Sequence, residues 1–161
     1  MKSILVLCLG NEVLSDDRFG AEIADLLRGD DFGPDVEVLF VSAAGFTLVD
    51  LLANRRSVLI IDTILTGTTA PGTLHYFPIG KLTPSKNLVN SHQINLPTAL
   101  EFGRKMGYAM PDDIQVLAVE AQDVTTLSER LTEPVAKALD ETALRVRSWV
   151  EGKRKRSQEH D

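Results

Sequence analysis

The chain has 161 residues, a net charge of −6 and 43% hydrophobic residues. That is the composition of a soluble globular chain, and its length suffices to bury roughly 70% of the unfolded surface without disulfide staples. The acidic balance argues against nucleic acid as a main partner, because phosphate binding needs a basic surface. The single cysteine, Cys8, excludes an internal disulfide and suits a reducing cytoplasm.

In chain order, residues 4–9 (Ile-Leu-Val-Leu-Cys-Leu) form a short run that is apolar on both faces, as in a strand buried between two helical layers. The run is too short for a signal-peptide core with its cleavage site, and far too short to span a membrane. Gly10 permits a sharp turn. A loop carrying Glu12, Asp16 and Asp17 follows. Phe19, Ile23, Leu26 and Leu27 then fall at helical spacing, with Asp16 or Asp17 able to cap the first turn. Gly33, Pro34 and Asp35 lead into a second strand at 36–41, and a small-residue loop at 42–45 leads into a short helix carrying Leu48, Val49, Leu51 and Leu52.

The most apolar strand is expected at 57–61, with Asp62 at its carboxyl end. After a loop at 66–72, residues 73–77 read as an edge strand because prolines flank them. A long connection over 78–91 precedes a helix from about 96 to 106, with Pro97 in its first turn. A fifth strand at 114–119, a loop at 120–132 and a helix from about 133 to 150 complete the pattern. That last helix has an apolar stripe of Val135, Leu139, Ala143, Val146 and Val150. Residues 1–152 are thus expected to form one α/β domain. The basic, polar stretch 153–161 is expected to be a disordered tail.

Strands alternating with helices imply an α/β fold in three layers: a mostly parallel, twisted five-stranded sheet between helices. One common strand order is 2-1-3-4-5, in which the first and third strands are neighbours. Asp17 and Asp62 would then face one crevice, at the surface end of the strands. His92 precedes a helix that starts at the same end of the sheet if the next strand is parallel.

Asp17, Asp62 and His92 offer two carboxylates and one imidazole, a set suited to a borderline divalent ion such as zinc or nickel. Of the other two histidines, His75 sits in the expected edge strand and His160 in the tail. The competing structural reading is that Asp17 caps a helix, Asp62 satisfies loop amides and His92 bonds backbone at a helix start. Phosphate-binding glycine loops, the HExxH zinc motif and the GxSxG elbow are all missing from the sequence. Cys8, inside a strand, reads as a buried thiol. A phospho-receiver domain fails because the fifth strand ends in Glu120, where a lysine would be wanted.

Four segments in order resemble the [NiFe]-hydrogenase maturation endopeptidases. Leu9-Gly10-Asn11 through Asp16-Asp17 to Gly20 is similar to the signature G-N-x-x-x-x-D-[DE]-x-x-G. Leu59-Ile60-Ile61-Asp62 resembles the family's strand ending in aspartate, and Ala70-Pro71-Gly72-Thr73 its P-G-[TS] turn. Ser91-His92-Gln93-Ile94-Asn95-Leu96 resembles its S-H-x-x-x-L region. The resemblance implies a cytoplasmic, monomeric peptidase that removes the C-terminal peptide of a [NiFe]-hydrogenase large-subunit precursor after nickel insertion. It implies that Asp17, Asp62 and His92 contact the metal and carry the activity. The nickel would be borne by the substrate, with no organic cofactor, nucleic acid or membrane involved. A non-catalytic nickel-sensing module docking on the same precursor is the alternative. Two departures stand out: Phe40 falls where many members carry the aspartate of D-G-G-T, leaving Gly45 as the clear remnant, and Asp17 stands where some members have glutamate.

Overall fold

The computed structural model describes residues 2–42, 46–82, 89 and 96–160. Its strands are β1 (Ile4–Leu9), β2 (Val36–Val41), β3 (Ser57–Ile64), β4 (Leu74–Pro78) and β5 (Asp113–Glu120). Its α-helices are α1 (Phe19–Leu27), α2 (Phe46–Leu52), α3 (Leu96–Lys105), α4 (Glu133–Ala136) and α5 (Leu139–Glu159), and 3-10 turns cover Ser15–Arg18 and Ile79–Lys81.

Every residue of β1 and β3 is buried, as the unbroken apolar runs require. The two strands lie side by side and parallel at the centre of one sheet, with Cys8 opposite Ile61. On one face, Phe19, Ile23 and Leu27 of α1 and Val146 and Val150 of α5 pack against Val6, Cys8, Leu59 and Ile61. On the other, Leu48 and Leu52 of α2 and Leu96 and Leu100 of α3 pack against Leu5, Leu7, Ile60 and Val116. The expected three-layer α/β architecture is the observed one.

The strand order is β2-β1-β3-β5-β4, so the last two strands exchange places relative to the expected order. β4 runs antiparallel to β5 for a reason visible in the connection. Residues 65–73 contain no helix, so nothing carries the chain back to the far end of the sheet. β4 therefore starts where β3 finishes and runs the opposite way. Its expected edge position holds.

Two boundaries differ from expectation. Asp62 does not end its strand: β3 continues through Ile64. The residues expected to form a disordered tail are instead helical as far as Glu159. Lys153 pairs with Asp113 at 2.6 Å and sits 5.6 Å from the Trp149 ring centroid, and Glu151 pairs with Lys155 at 3.1 Å. These contacts anchor the basic segment to the amino end of β5 and extend the helix past Gly152.

Candidate active site

The loop after β1 folds back on itself because two glycines permit close backbone approach. A Cβ on Gly10 would lie 2.3 Å from the Asp17 carbonyl oxygen, and one on Gly20 would lie 2.3 Å from the Leu9 carbonyl oxygen. With hydrogen there instead, the Asn11 N–H donates to the Asp17 carbonyl at 3.0 Å, and α1 seats directly on the end of β1. Both are contacts that any side chain would prevent. They set the position of the two aspartates between them.

Those aspartates have different work. Asp16 is fully buried and ties down the loop after β5. Its Oδ2 accepts the N–H groups of Gln122 and Asp123, each at 2.8 Å. Its Oδ1 accepts the Thr132 N–H at 2.7 Å and the Thr132 hydroxyl at 2.9 Å. Neither aspartate caps α1, whose N-cap residue Arg18 has no side-chain cap bond. Asp17 points instead toward β3, where its Oδ1 accepts the Thr63 hydroxyl at 3.3 Å. Asp62, the next residue back along β3, accepts the Thr63 N–H on its Oδ1 at 2.7 Å.

The structure thus brings Asp17 and Asp62 to the same end of adjacent parallel strands, joined through Thr63. Contrary to the expected surface placement, both are buried, at 3% and 0% exposure. His92, the third residue of the expected set, lies outside the described residues, as does Gly45. The described residues that flank His92 approach this end of the sheet: Val89 donates its N–H to the Thr63 carbonyl at 2.9 Å, and Leu96 packs on the Asp62 face of the sheet. Among the described residues no three His, Cys, Asp or Glu side chains are grouped to hold a metal ion. Phe40, at the position where the resemblance expects an acid, packs against the core, with its ring edge 3.4 Å from where a Cβ on Gly10 would sit. Burial pushes the Cys8 thiol up to about 12, which suits an inert core residue.

A second polar cluster stands at the same end of the sheet, and sequence reasoning missed it. Glu120, only 2% exposed, accepts the Thr66 N–H at 2.8 Å, the Thr66 hydroxyl, and the Thr69 hydroxyl at 2.7 Å. The His75 Nε2 lies 3.1 Å from the Thr69 hydroxyl oxygen and 3.4 Å from Glu120 Oε1. Burial pushes the Glu120 carboxyl up, but the Thr66 and Thr69 bonds and the His75 ring outweigh it and hold the group below its usual value. The available signal was an acid ending the apolar run Val116-Leu117-Ala118-Val119, since a buried carboxylate needs partners.

An open α/β sheet with carboxylates gathered where its central parallel strands end has the layout in which such sheets bind ligands. The hydrogenase maturation protease family model matches residues 23–149. The hydrogenase 2 maturation protease of Escherichia coli is 30% identical over 152 residues, covering 88% of this chain and 93% of that protein. Among solved structures, the hydrogenase maturating endopeptidase HybD from E. coli superposes with a TM-score of 0.79 at 26% identity, covering 93% of both chains. The [NiFe] hydrogenase maturation protease HybD from Thermococcus kodakarensis matches with a TM-score of 0.68 at 23% identity, covering 91% of this chain and 97% of that one. The chain belongs to the hydrogenase maturation protease family, and it is a peptidase.

Proposed function

We propose that this peptidase removes the C-terminal peptide from a [NiFe]-hydrogenase large-subunit precursor once nickel has been inserted, and that it recognises the nickel through Asp17, Asp62 and His92. The observation that carries this reading is the convergence of Asp17 and Asp62 on the carboxyl ends of β1 and β3, in a chain of this family. His92 completes a set of two oxygen donors and one nitrogen donor, a chemistry that suits nickel. In this reading the nickel arrives on the substrate, held by the precursor's own ligands.

Binding energy spent on the nickel is useful because it places the adjoining peptide. Contacts from the crevice to a metal fixed in the precursor locate the scissile bond beside the same side chains, turning an encounter into an oriented reaction. The metal would polarise the scissile carbonyl or activate a water. The protein acts as a monomer in the cytoplasm. Among the described residues no helix is long and apolar enough to cross a membrane.

The test is to incubate the protein with nickel-loaded precursor and weigh the large subunit by intact-mass spectrometry. A single loss at the precursor's C-terminus is expected. An unchanged mass, with the precursor bound, would leave a nickel-sensing module instead.

A further inference from the structure

The loop after β1 and the loop after β5 are joined beside the site. Leu14 stands directly opposite Leu127 in an antiparallel bridge. The bridge is closed on both sides: the Ser15 N–H donates to the Thr126 carbonyl at 3.1 Å, and the Ser128 N–H to the Val13 carbonyl at 3.0 Å. Residues opposite one another in such a pair put their side chains on one face. Leu14 is half-buried there, while Leu127 is 79% exposed, more than any other large hydrophobic side chain among the described residues.

A single exposed leucine on a protein surface needs no explanation. Two observations set Leu127 apart. First, its loop is held on both sides. Before it, Asp123 Oδ1 accepts the Thr125 and Thr126 N–H groups, each at 3.0 Å. After it, the Ser128 hydroxyl oxygen accepts the Arg130 N–H at 3.1 Å, and buried Asp16 accepts the Thr132 N–H at 2.7 Å. Second, the bridge adjoins the site. The Leu14 carbonyl accepts the Asp17 N–H at 2.8 Å, so the residue opposite Leu127 is bonded to the backbone of a site aspartate. A cross-strand step of about 4.5 Å and one 3-10 turn of about 6 Å bring the Leu127 backbone within about 11 Å of that of Asp17. An ordinary protein interface covers about 800 Å² a side, which reaches about 16 Å from its centre. A protein substrate centred on Asp17 therefore extends as far as Leu127.

We propose that Leu127, backed by Leu14, is a docking contact for the precursor and seats in an apolar hollow on the precursor's surface. A side chain this exposed stands proud of the surface, so only a hollow can cover it. Because its loop is already held by hydrogen bonds, seating it costs little ordering entropy. This rests on the proposed function and adds a contact with the body of the precursor, distinct from the metal and from the scissile peptide.

Binding and cleavage are read separately on nickel-loaded precursor, the first by rapid-mixing fluorescence anisotropy of labelled precursor and the second by intact mass. Leu127→Ala is expected to weaken Kd about tenfold, roughly the worth of burying most of one leucine side chain, while kcat stays within about twofold. Leu127→Met restores an apolar side chain of similar volume and is expected to stay within about twofold of the wild-type Kd. The loss in Leu127→Ala should be equal at low and high salt, because apolar burial is not screened. Leu144→Ala, at a 61% exposed position on α5, is expected to change nothing. Both alanine variants alter exposed side chains, so Tm should stay within a few degrees of the wild type. A wild-type Kd in Leu127→Ala, or an equal loss in Leu144→Ala, overturns the inference. So does sedimentation in which Leu127→Ala splits a wild-type dimer while the precursor Kd is unchanged, since the contact would then belong to a second copy of the chain. A wild type that binds precursor and leaves it intact overturns the proposed cleavage alone, and a tenfold Kd loss in Leu127→Ala still upholds the docking contact. A wild type that cleaves, with an unaffected Kd in Leu127→Ala, overturns the docking contact alone.

Discussion

The Thr63 hydroxyl donates to Asp17 Oδ1 at 3.3 Å, linking a carboxylate on the loop after β1 to the residue beside Asp62 in β3. The link depends on β1 and β3 being parallel neighbours, and on the glycine contacts that bring the loop back over the strand ends. The two aspartates belong to one buried arrangement, although 45 positions separate them in the sequence.

Because both carboxylates are buried, the informative substitutions keep their shape. Asp17→Asn and Asp62→Asn preserve volume while removing the charge that would meet a cation. Each is expected to cut processing of nickel-loaded precursor at least about a hundredfold, as for the loss of a charged contact to the reacting centre. His92→Ala is expected to do the same. Thermal unfolding should show Tm within a few degrees of the wild type. Variants that process precursor at the wild-type rate would remove these residues from the site.

Asp16 should behave in the opposite way. Its carboxylate satisfies three backbone N–H groups and one hydroxyl from the 122–132 loop. Asp16→Ala leaves those donors without their acceptor and is expected to cost about 3 kcal/mol of stability. For a chain of this size that lowers Tm by about 6–12 °C. A calorimetric scan checks it, and a Tm within 2 °C of the wild type, about the shift of a minor surface change, would show that the loop is held by other contacts.

The contrast between these adjacent residues shows what the sequence could and could not reveal. Apolar runs as pure as residues 4–9 and 58–61, short and bounded by turn residues, point to central strands, so the sheet, its two faces and the position of Asp62 near the strand ends were legible. Asp16 and Asp17 are chemically identical neighbours. They are distinguished by partners 106 and 116 residues away for Asp16 and 46 residues away for Asp17, and no local pattern encodes those. The exchange of β4 and β5 follows from a helix-free connection whose consequence is topological rather than periodic. The helical residues 153–159 carry no apolar stripe to signal them. Their order comes from a pairing between Lys153 and Asp113 that only the fold creates.

That pairing has a pH signature. Burial pushes the Asp113 carboxyl up, but bonds from Lys153, Ser57 and Gln115 outweigh it and hold the group below its ordinary 3.8. A carboxylate with a depressed native pKa contributes stability that is complete above its unfolded value and is lost as pH falls through the native value. Glu120 is depressed in the same direction from 4.5. Stability is therefore expected to be flat near neutrality on account of these groups and to fall below about pH 4. Asp113→Asn should make the fall shallower and loosen the end of α5. Urea unfolding across pH 2.5–7, with amide exchange on residues 153–159, checks both, and an identical acid slope in the variant would contradict the assignment.

The most direct measurement compares one precursor in two states, nickel-loaded and metal-free, each incubated with protease purified under chelating conditions and followed by intact mass. If the metal is read on the substrate, the chelated protease remains active, the nickel-loaded precursor loses its C-terminal peptide, and the metal-free precursor keeps it. Equal cleavage of both forms with no metal added, or a protease that works only after its own tightly bound zinc is restored, would contradict that account.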